Sequence, residues 1–313
     1  MRDVKTIADA VVDAIEGQRW LDAPGYKLEH GLALAFTTLG ARGRGLQDVL
    51  HGTPLGHPLH PTLTDVPLGA WTAALILDAL DVLSPRPEGW RQAAQLAVGV
   101  GVMGGMGAAL TGLTDWQYTH DKARRSGLVH GLLNSAALGL NVLSWRARGH
   151  GEHARARRAS ALGYCLVLAG GYLGGKLVFR HRIGVDHSQQ APSPHGFIAV
   201  LPEADLAEDT PHEVHYAGAT VVLTRHDGHI AAVGGLCSHL GAPMSQGWLY
   251  RGQLVCPWHG SRFDPRTGCA VTGPATAPLT RYEIRAAAGQ IELRPAAPSS
   301  TPGQPTSPAG ARQ

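Results

Sequence analysis

Long apolar runs fill the middle of the chain, and short apolar segments separated by turns fill its last third. Four apolar stretches follow residue 60: about Val66 to Leu83, interrupted by Asp78 and Asp81; Ala93 to Leu113, with no charged residue; Leu128 to Trp145, containing His130, Asn134 and Asn141; and Ala159 to Phe179, with Lys176 near its end. Each has the roughly 17–25 residues that a bilayer-spanning helix needs. Trp71, Trp90, Trp116 and Trp145 fall at or near the ends of these stretches, where an interfacial aromatic belt would put them. A buried soluble helix could mimic one such stretch, but four in succession with short connections predict a four-helix transmembrane bundle. Gly101 with Gly105, and Gly170, Gly171, Gly174 and Gly175, recur at four-residue spacing. That spacing lets backbones approach closely in lipid, within one bundle or between copies in an oligomer. Ahead of the spans, Val4, Ile7, Val11 and Ile15 recur at helical spacing, which predicts a short amphipathic helix. It could lie on the membrane surface or pack against the rest of the chain.

The character changes at residue 184. GVDHSQQAPSPHG is a polar linker with Pro punctuation. Phe197 to Arg294 reads as short strands between turns, with Asp227-Gly228 separating two apolar runs as in a hairpin. The final PAAPSSTPGQPTSPAGARQ is rich in Pro, Ser and Gly and reads as disordered. The fold class is therefore α + β in separate domains. An amphipathic N-terminal segment spans 1–50, a membrane domain 51–183, a linker 184–196, a β domain 197–295 and a tail 296–313.

Composition agrees with a chain partly in lipid: charged residues are 16% of its 313, and Gly (41) and Pro (21) are abundant. A net charge of +3 spread over scattered basic residues, without interleaved aromatics, argues against a nucleic-acid partner. The N-terminus lacks an uninterrupted apolar core and carries acids throughout, so it is not read as a secretory signal. Of four cysteines, Cys165 lies in an apolar run and Cys269 in a polar turn region, so no disulfide is expected between them.

The other two cysteines carry the chemistry. CSHLGAPMSQGWLYRGQLVCPWHGSRFD holds Cys237-x-His239, sixteen intervening residues, and Cys256-x-x-His259. A cysteine–histidine pair at each of two loop tips can enclose a two-iron cluster from opposite sides. A tetrahedral zinc site uses the same residue types, but zinc fingers usually place cysteines together and histidines together. Here each loop mixes them.

Residues 197 to 294 resemble a Rieske domain, with CSHLGAP and CPWHGSRFD as signature loops and GPATAPLTRYEI following. The resemblance implies an antiparallel β sandwich with a [2Fe–2S] cluster at one tip. Cys237 and Cys256 would hold one iron, and His239 and His259 the other, near solvent. High-potential members that this chain resembles carry an extra cysteine in each loop, forming a disulfide; here those places hold Ala242 and Trp258. Ser261 is kept as a donor to a cluster sulfur, whereas the tyrosine of those members is Phe263. Losing that donor predicts a potential toward the lower end of the Rieske range, which runs from about −150 to +300 mV.

HGTPLGHPLHP (51–61), GLTDW (112–116) and GGYLGGKLVF resemble a four-helix bacterial membrane domain of unassigned function. Asp65, Asp78, Asp115, His57, His60 and His130 are its candidate functional polar groups. A pair of these histidines could bind haem b. The preferred reading is that the HPLHP histidines orient the first helix and that His130 satisfies a carboxylate, because no two histidines fall clearly in facing spans. Four spans put both termini on one side of a bacterial-type cytoplasmic membrane. The flanking Lys and Arg, six against seven, do not set the orientation. Arg157-Arg158 ahead of the fourth span could act as an internal twin-arginine export signal, though such a pair is more often an ordinary loop charge. With no N-terminal signal and no disulfide, the cluster domain is expected to face the cytoplasm.

The function these readings predict is membrane-anchored transfer of single electrons, with a redox partner protein or quinone. An electron feeder of an oxygenase or quinol-oxidising complex, or a redox sensor or scaffold, is the alternative. The roughly twenty residues after Arg294 leave no room for a mononuclear-iron catalytic domain in this chain.

Overall fold

A computed structural model describes residues 4–86, 88–193 and 196–297. They form two compact units, one of residues up to His51 with Pro58–Gly184, the other of Gly52–His57 with Val185 onward.

The first unit is helical: α1 (Val4–Glu16), α2 (Asp22–Thr38), α3 (Gly40–His51), α4 (Leu59–Leu83), α5 (Glu88–Trp116), α6 (Asp121–Gly149) and α7 (His153–Phe179). α4 to α7 are each long and apolar enough to cross a membrane. All four run past the apolar stretches that mark them in sequence, because the helical ladder continues into the polar flanks. That extension corrects the aromatic-belt reading at Trp71, while Trp90, Trp116 and Trp145 remain at or near helix ends. With α4 starting at Leu59, Trp71 lies mid-helix and is buried among Ala137 and Val167. Trp116 is buried too, its indole N–H donating to the Arg124 carbonyl at 3.0 Å. Only Trp90 and Trp145 keep exposed faces.

The repeated glycines work inside the bundle. A Cβ on Gly101 would lie 2.2 Å from Trp71 Nε1, and one on Gly105 3.1 Å from Leu138. Neither could accept a side chain while its neighbour stays in place. Gly171, by contrast, meets nothing within 4 Å.

α1 forms as its periodicity predicts, and it packs on the bundle. Val12 is buried, while Asp9 accepts from Lys176 at 2.5 Å and Asp13 from Arg180 at 2.8 Å. Ile7 and Val11 stay exposed. α2 and α3 add two helices to the segment read only as amphipathic, although both contain glycines, which lower helix propensity. Gly25 of α2 packs beside Arg124 and Trp116.

Charges inside the bundle are paired. Arg148 on α6 makes a bidentate contact with Asp78 on α4, at 2.7 and 2.6 Å, and both side chains are buried. Asp81 accepts from Arg91 (2.7 Å) and Arg157 (2.5 Å), so one end of α4 is tied to the other three spans. Removing one member of a buried pair strands the other, at a cost of about 3–5 kcal/mol in protein interiors. Asp78→Asn should therefore lower the thermal midpoint of the detergent-solubilised protein sharply. Joint replacement by Asp78→Leu and Arg148→Met should recover much of the loss. A single variant as stable as the parent would show that the pair is dispensable.

The second unit is all-β. β1 (Ile198–Pro202) pairs with β10 (Gln290–Pro295), which pairs with β9 (Tyr282–Ala287). β2 (His212–Tyr216), β3 (Ala219–His226) and β4 (His229–Gly234) form a second antiparallel sheet. β5 (Trp248–Tyr250), β6 (Gln253–Val255), β7 (Arg262–Phe263) and β8 (Ala270–Thr272) form a third. Asp227-Gly228 makes the expected hairpin, both residues at positive φ (50° and 72°), with His226 opposite His229. Tyr216, Val221, Leu223, Tyr282, Ile291 and Leu293 make one core. A second core lies under the loops after β4 and β6 and includes Val222, Met244, Leu254 and Phe263. His187, Gln189 and Thr53 also belong to this unit: the His187 N–H donates to the Ser238 carbonyl at 2.9 Å, and the Gln189 carbonyl accepts from Thr280 at 2.6 Å. Of the tail, residues 298–313 lie outside the described residues.

Candidate metal centre

Two loops with the same backbone plan lie side by side. In the first, the Gly241 N–H donates to the Cys237 carbonyl (2.8 Å) and the Cys237 N–H to the Ala242 carbonyl (2.8 Å). In the second, the Gly260 N–H donates to the Cys256 carbonyl (3.1 Å) and the Cys256 N–H to the Ser261 carbonyl (2.8 Å). Each loop is thus a Cys-x-x-x-Gly turn closed at both ends. Both glycines sit at positive φ, 76° and 73°, where a side chain would be strained. Sequence reasoning missed these glycines, although the matched spacing in CSHLG and CPWHG was the signal.

The segment 273–279 clasps both turns. The Ser238 hydroxyl donates to the Ala277 carbonyl at 2.7 Å, and the Ala275 N–H donates to Ser261 Oγ at 3.0 Å. Ser261 is completely buried and its oxygen accepts that bond, so its own proton remains for another acceptor.

The turns bring the four candidate ligands together with unequal exposure. Cys237 and Cys256 are buried in the second core, each 1% exposed, whereas His239 and His259 are only half-buried. The two sulfurs hydrogen-bond to each other. The two imidazole centroids are 5.1 Å apart, with ring planes at 83°. Exposed Trp258 stands edge-on to His259. The Cys256 thiol is drawn down to about 7 by the hydrogen bond from Cys237, helped by the N–H groups of Trp258 and His259. The Cys237 thiol is driven well above its ordinary range by the same pairing and by burial. The pair therefore takes its first negative charge readily and its second only beside a cation. A buried pair of sulfurs and a half-buried pair of imidazoles, carried on two closed turns, are a fitting donor set for a metal centre. All four cysteines carry free thiols, so no disulfide braces the loops.

Elsewhere among the described residues, Glu208, Asp209 and His226 come within metal-binding distance of one another. Both carboxylates are exposed; Asp209 accepts from His226 at 2.6 Å and Glu208 from the Gly228 N–H at 3.3 Å.

In the helical unit the candidate groups sort differently from the sequence expectation. Asp78 is bound to Arg148, Asp65 is exposed, and Asp115 accepts from buried His51 at 2.7 Å, a partner not foreseen. Among the described residues His130 meets the Gly170 carbonyl and not a carboxylate, its Nδ1 at 2.7 Å from that oxygen. No two histidines were expected clearly inside facing spans; His60, in the first turn of α4, and His130 on α6 nevertheless come within 6.4 Å, centroid to centroid.

The chain is thus a metal-binding β domain joined to helices long enough to cross a membrane. Residues 196–283 match the Rieske [2Fe-2S] domain, and residues 56–187 match a predicted membrane protein domain, DUF2231. The ferredoxin component of the naphthalene 1,2-dioxygenase system of Pseudomonas putida is 33% identical over 89 residues, covering 28% of this chain and 86% of that protein. The chain belongs to the Rieske [2Fe-2S] family, with the DUF2231 domain preceding its cluster domain. Apoptosis-inducing factor 3 of Homo sapiens is 30% identical over 113 residues, covering 36% of this chain but only 19% of that protein. Among solved structures, the ferredoxin of carbazole 1,9a-dioxygenase from Nocardioides aromaticivorans IC177 shares 26% identity, covering 33% of this chain and all of that one, with a TM-score of 0.32.

Proposed function

We propose that this protein is a membrane-anchored carrier of single electrons, with Cys237 and Cys256 holding one iron of a [2Fe–2S] cluster and His239 and His259 the other. The observation that carries this reading is the pair of matched Cys-x-x-x-Gly turns, which bury two sulfurs together and leave two imidazoles toward solvent. The cluster, when bound, supplies a one-electron couple. The protein's own contribution is a fixed donor set, backbone N–H groups aimed at both sulfurs, and a half-buried histidine edge through which an electron can leave. Trp258, 55% exposed beside His259, gives a redox partner an apolar contact next to that edge. The ferredoxin relative supports a protein partner ahead of a quinone.

EPR of the dithionite-reduced full chain tests this reading. A rhombic signal of the mixed-ligand type, with two iron and two acid-labile sulfide per chain, is expected. A silent sample containing zinc would sink the proposal, and a four-thiolate signal would overturn the ligand assignment. We further place the cluster domain on the cytoplasmic side. Protease added to intact spheroplasts should leave the C-terminal half uncut, and cleavage there would reverse the orientation.

A further inference from the structure

Across the interior of the helical unit, His60 near the start of α4 and His130 on α6 approach each other as a T-shaped pair, with ring centroids 6.4 Å apart and planes at 86°. Each ring is held from behind. His60 Nδ1 lies 2.9 Å from the Ala108 carbonyl on α5, and His130 Nδ1 lies 2.7 Å from the Gly170 carbonyl on α7. A carbonyl only accepts, so each neutral ring carries its proton on Nδ1 and leaves the lone pair on Nε2. The other polar neighbours are Thr111, whose hydroxyl is 3.5 Å from His60 Nδ1, and Asn134. The Asn134 amide donates to its own helix at 2.9 Å and reaches His130 Nε2 only at 3.4 Å.

Glycines make the arrangement sterically possible. A Cβ on Gly112 would fall 2.6 Å from His60 Cε1, and one on Gly174 3.0 Å from His130 Cε1. The Cε1–Nδ1 edges therefore press on α5 and α7.

Histidines that bind metals commonly donate their outer N–H to a backbone carbonyl, which fixes the tautomer and aims the other nitrogen. Imidazole nitrogens lie about 2.0–2.1 Å from a bound metal, and ring centroids 6.4 Å apart are close enough for both rings to share one ion.

We propose that His60 and His130 bind one transition-metal centre between α4 and α6, each through Nε2. Imidazole is a suitable ligand for iron and copper. None of the groups touching the rings among the described residues is a carboxylate. A bare divalent ion would thus leave two uncompensated charges among membrane helices, which is costly. The centre must bring its own compensation, as the iron of a porphyrin does, or carry a single charge, as a cuprous ion does. This site is separate from the cluster and stands whether or not the cluster assignment holds.

The full chain, expressed in cells supplied with a haem precursor and copper and purified in detergent, tests the proposal. One haem, seen as a Soret band, or one copper per chain by elemental analysis, is expected in addition to the cluster. Either falls at least tenfold in His60→Ala, in His130→Ala and in Gly174→Leu, where both ligands remain but the ring is displaced. The cluster EPR signal should be unchanged in all three, which reports an intact chain. His130→Met, which keeps a ligand, should retain the centre with an altered spectrum. A Soret band assigns the centre as haem, and copper without one assigns it as cuprous. Parent protein carrying neither, or variants that keep the parent's content, would overturn the site.

Discussion

Cys256→Ser and Cys237→Ser should each yield a chain with no EPR-active cluster and a β unit that no longer folds cooperatively. Both cysteines belong to the core that includes Val222, Met244, Leu254, Phe263 and Leu279, so the metal centre and the packing are one structure. Where a site forms only in the folded state, metal binding free energy is folding free energy; for structural zinc in small domains it is about 10–16 kcal/mol. A domain of ordinary stability, about 5–15 kcal/mol, does not survive losing a term of that size. Serine keeps the shape but offers no thiolate. Cys165→Ser and Cys269→Ser serve as controls, because Cys165 lies exposed on α7 and the Cys269 side chain meets only the Thr267 carbonyl in its own turn. His259→Cys separates ligation from folding. It should keep two irons while shifting the potential toward the about −400 mV of thiolate-ligated clusters. Stoichiometric iron and sulfide in Cys256→Ser would refute the ligand set.

The two halves of the chain were unequally legible. Four apolar runs and the Asp227-Gly228 hairpin are local signals, and both appear in the fold. The cluster loops were legible because their residue types and spacing are themselves the chemistry. What the sequence concealed was mostly pairing between distant positions. Asp78 and Arg148 are 70 residues apart and His51 and Asp115 are 64 apart, and no periodicity links them. α2 and α3 lie in the segment read only as amphipathic, and the packing of α2 on Arg124 and Trp116 joins positions about a hundred residues apart. His60 and His130 sit on non-consecutive helices, so their meeting follows from how the bundle closes and from nothing in either segment. The Ser261–Ala275 bond is of the same kind: the serine was recognisable as a donor, but not the backbone amide that orients it.

That bond sets up the second large effect, on potential. Ser261 is completely buried with its oxygen taken by the Ala275 N–H, which aims its hydroxyl proton elsewhere. Adding an electron makes the cluster more negative, so a donor to one of its sulfurs stabilises the reduced form. Hydrogen bonds to charged groups contribute about 1.5–3 kcal/mol, and a one-electron couple moves about 59 mV for each 1.4 kcal/mol. Ser261→Ala should therefore lower the midpoint potential by roughly 60–120 mV, with iron content unchanged. Phe263 is equally buried, in the core shared with Cys237 and Cys256, and offers no donor. Phe263→Tyr should raise the potential by a similar amount if its hydroxyl reaches a sulfur. Otherwise it should destabilise the unit by about 1–3 kcal/mol, the cost of a buried unpaired hydroxyl. Redox titration of the parent should give a value in the lower part of the Rieske range. A parent value above about +200 mV, near the top of that range, or a Ser261→Ala variant with an unshifted potential, would mean that donors to the sulfurs do not set it.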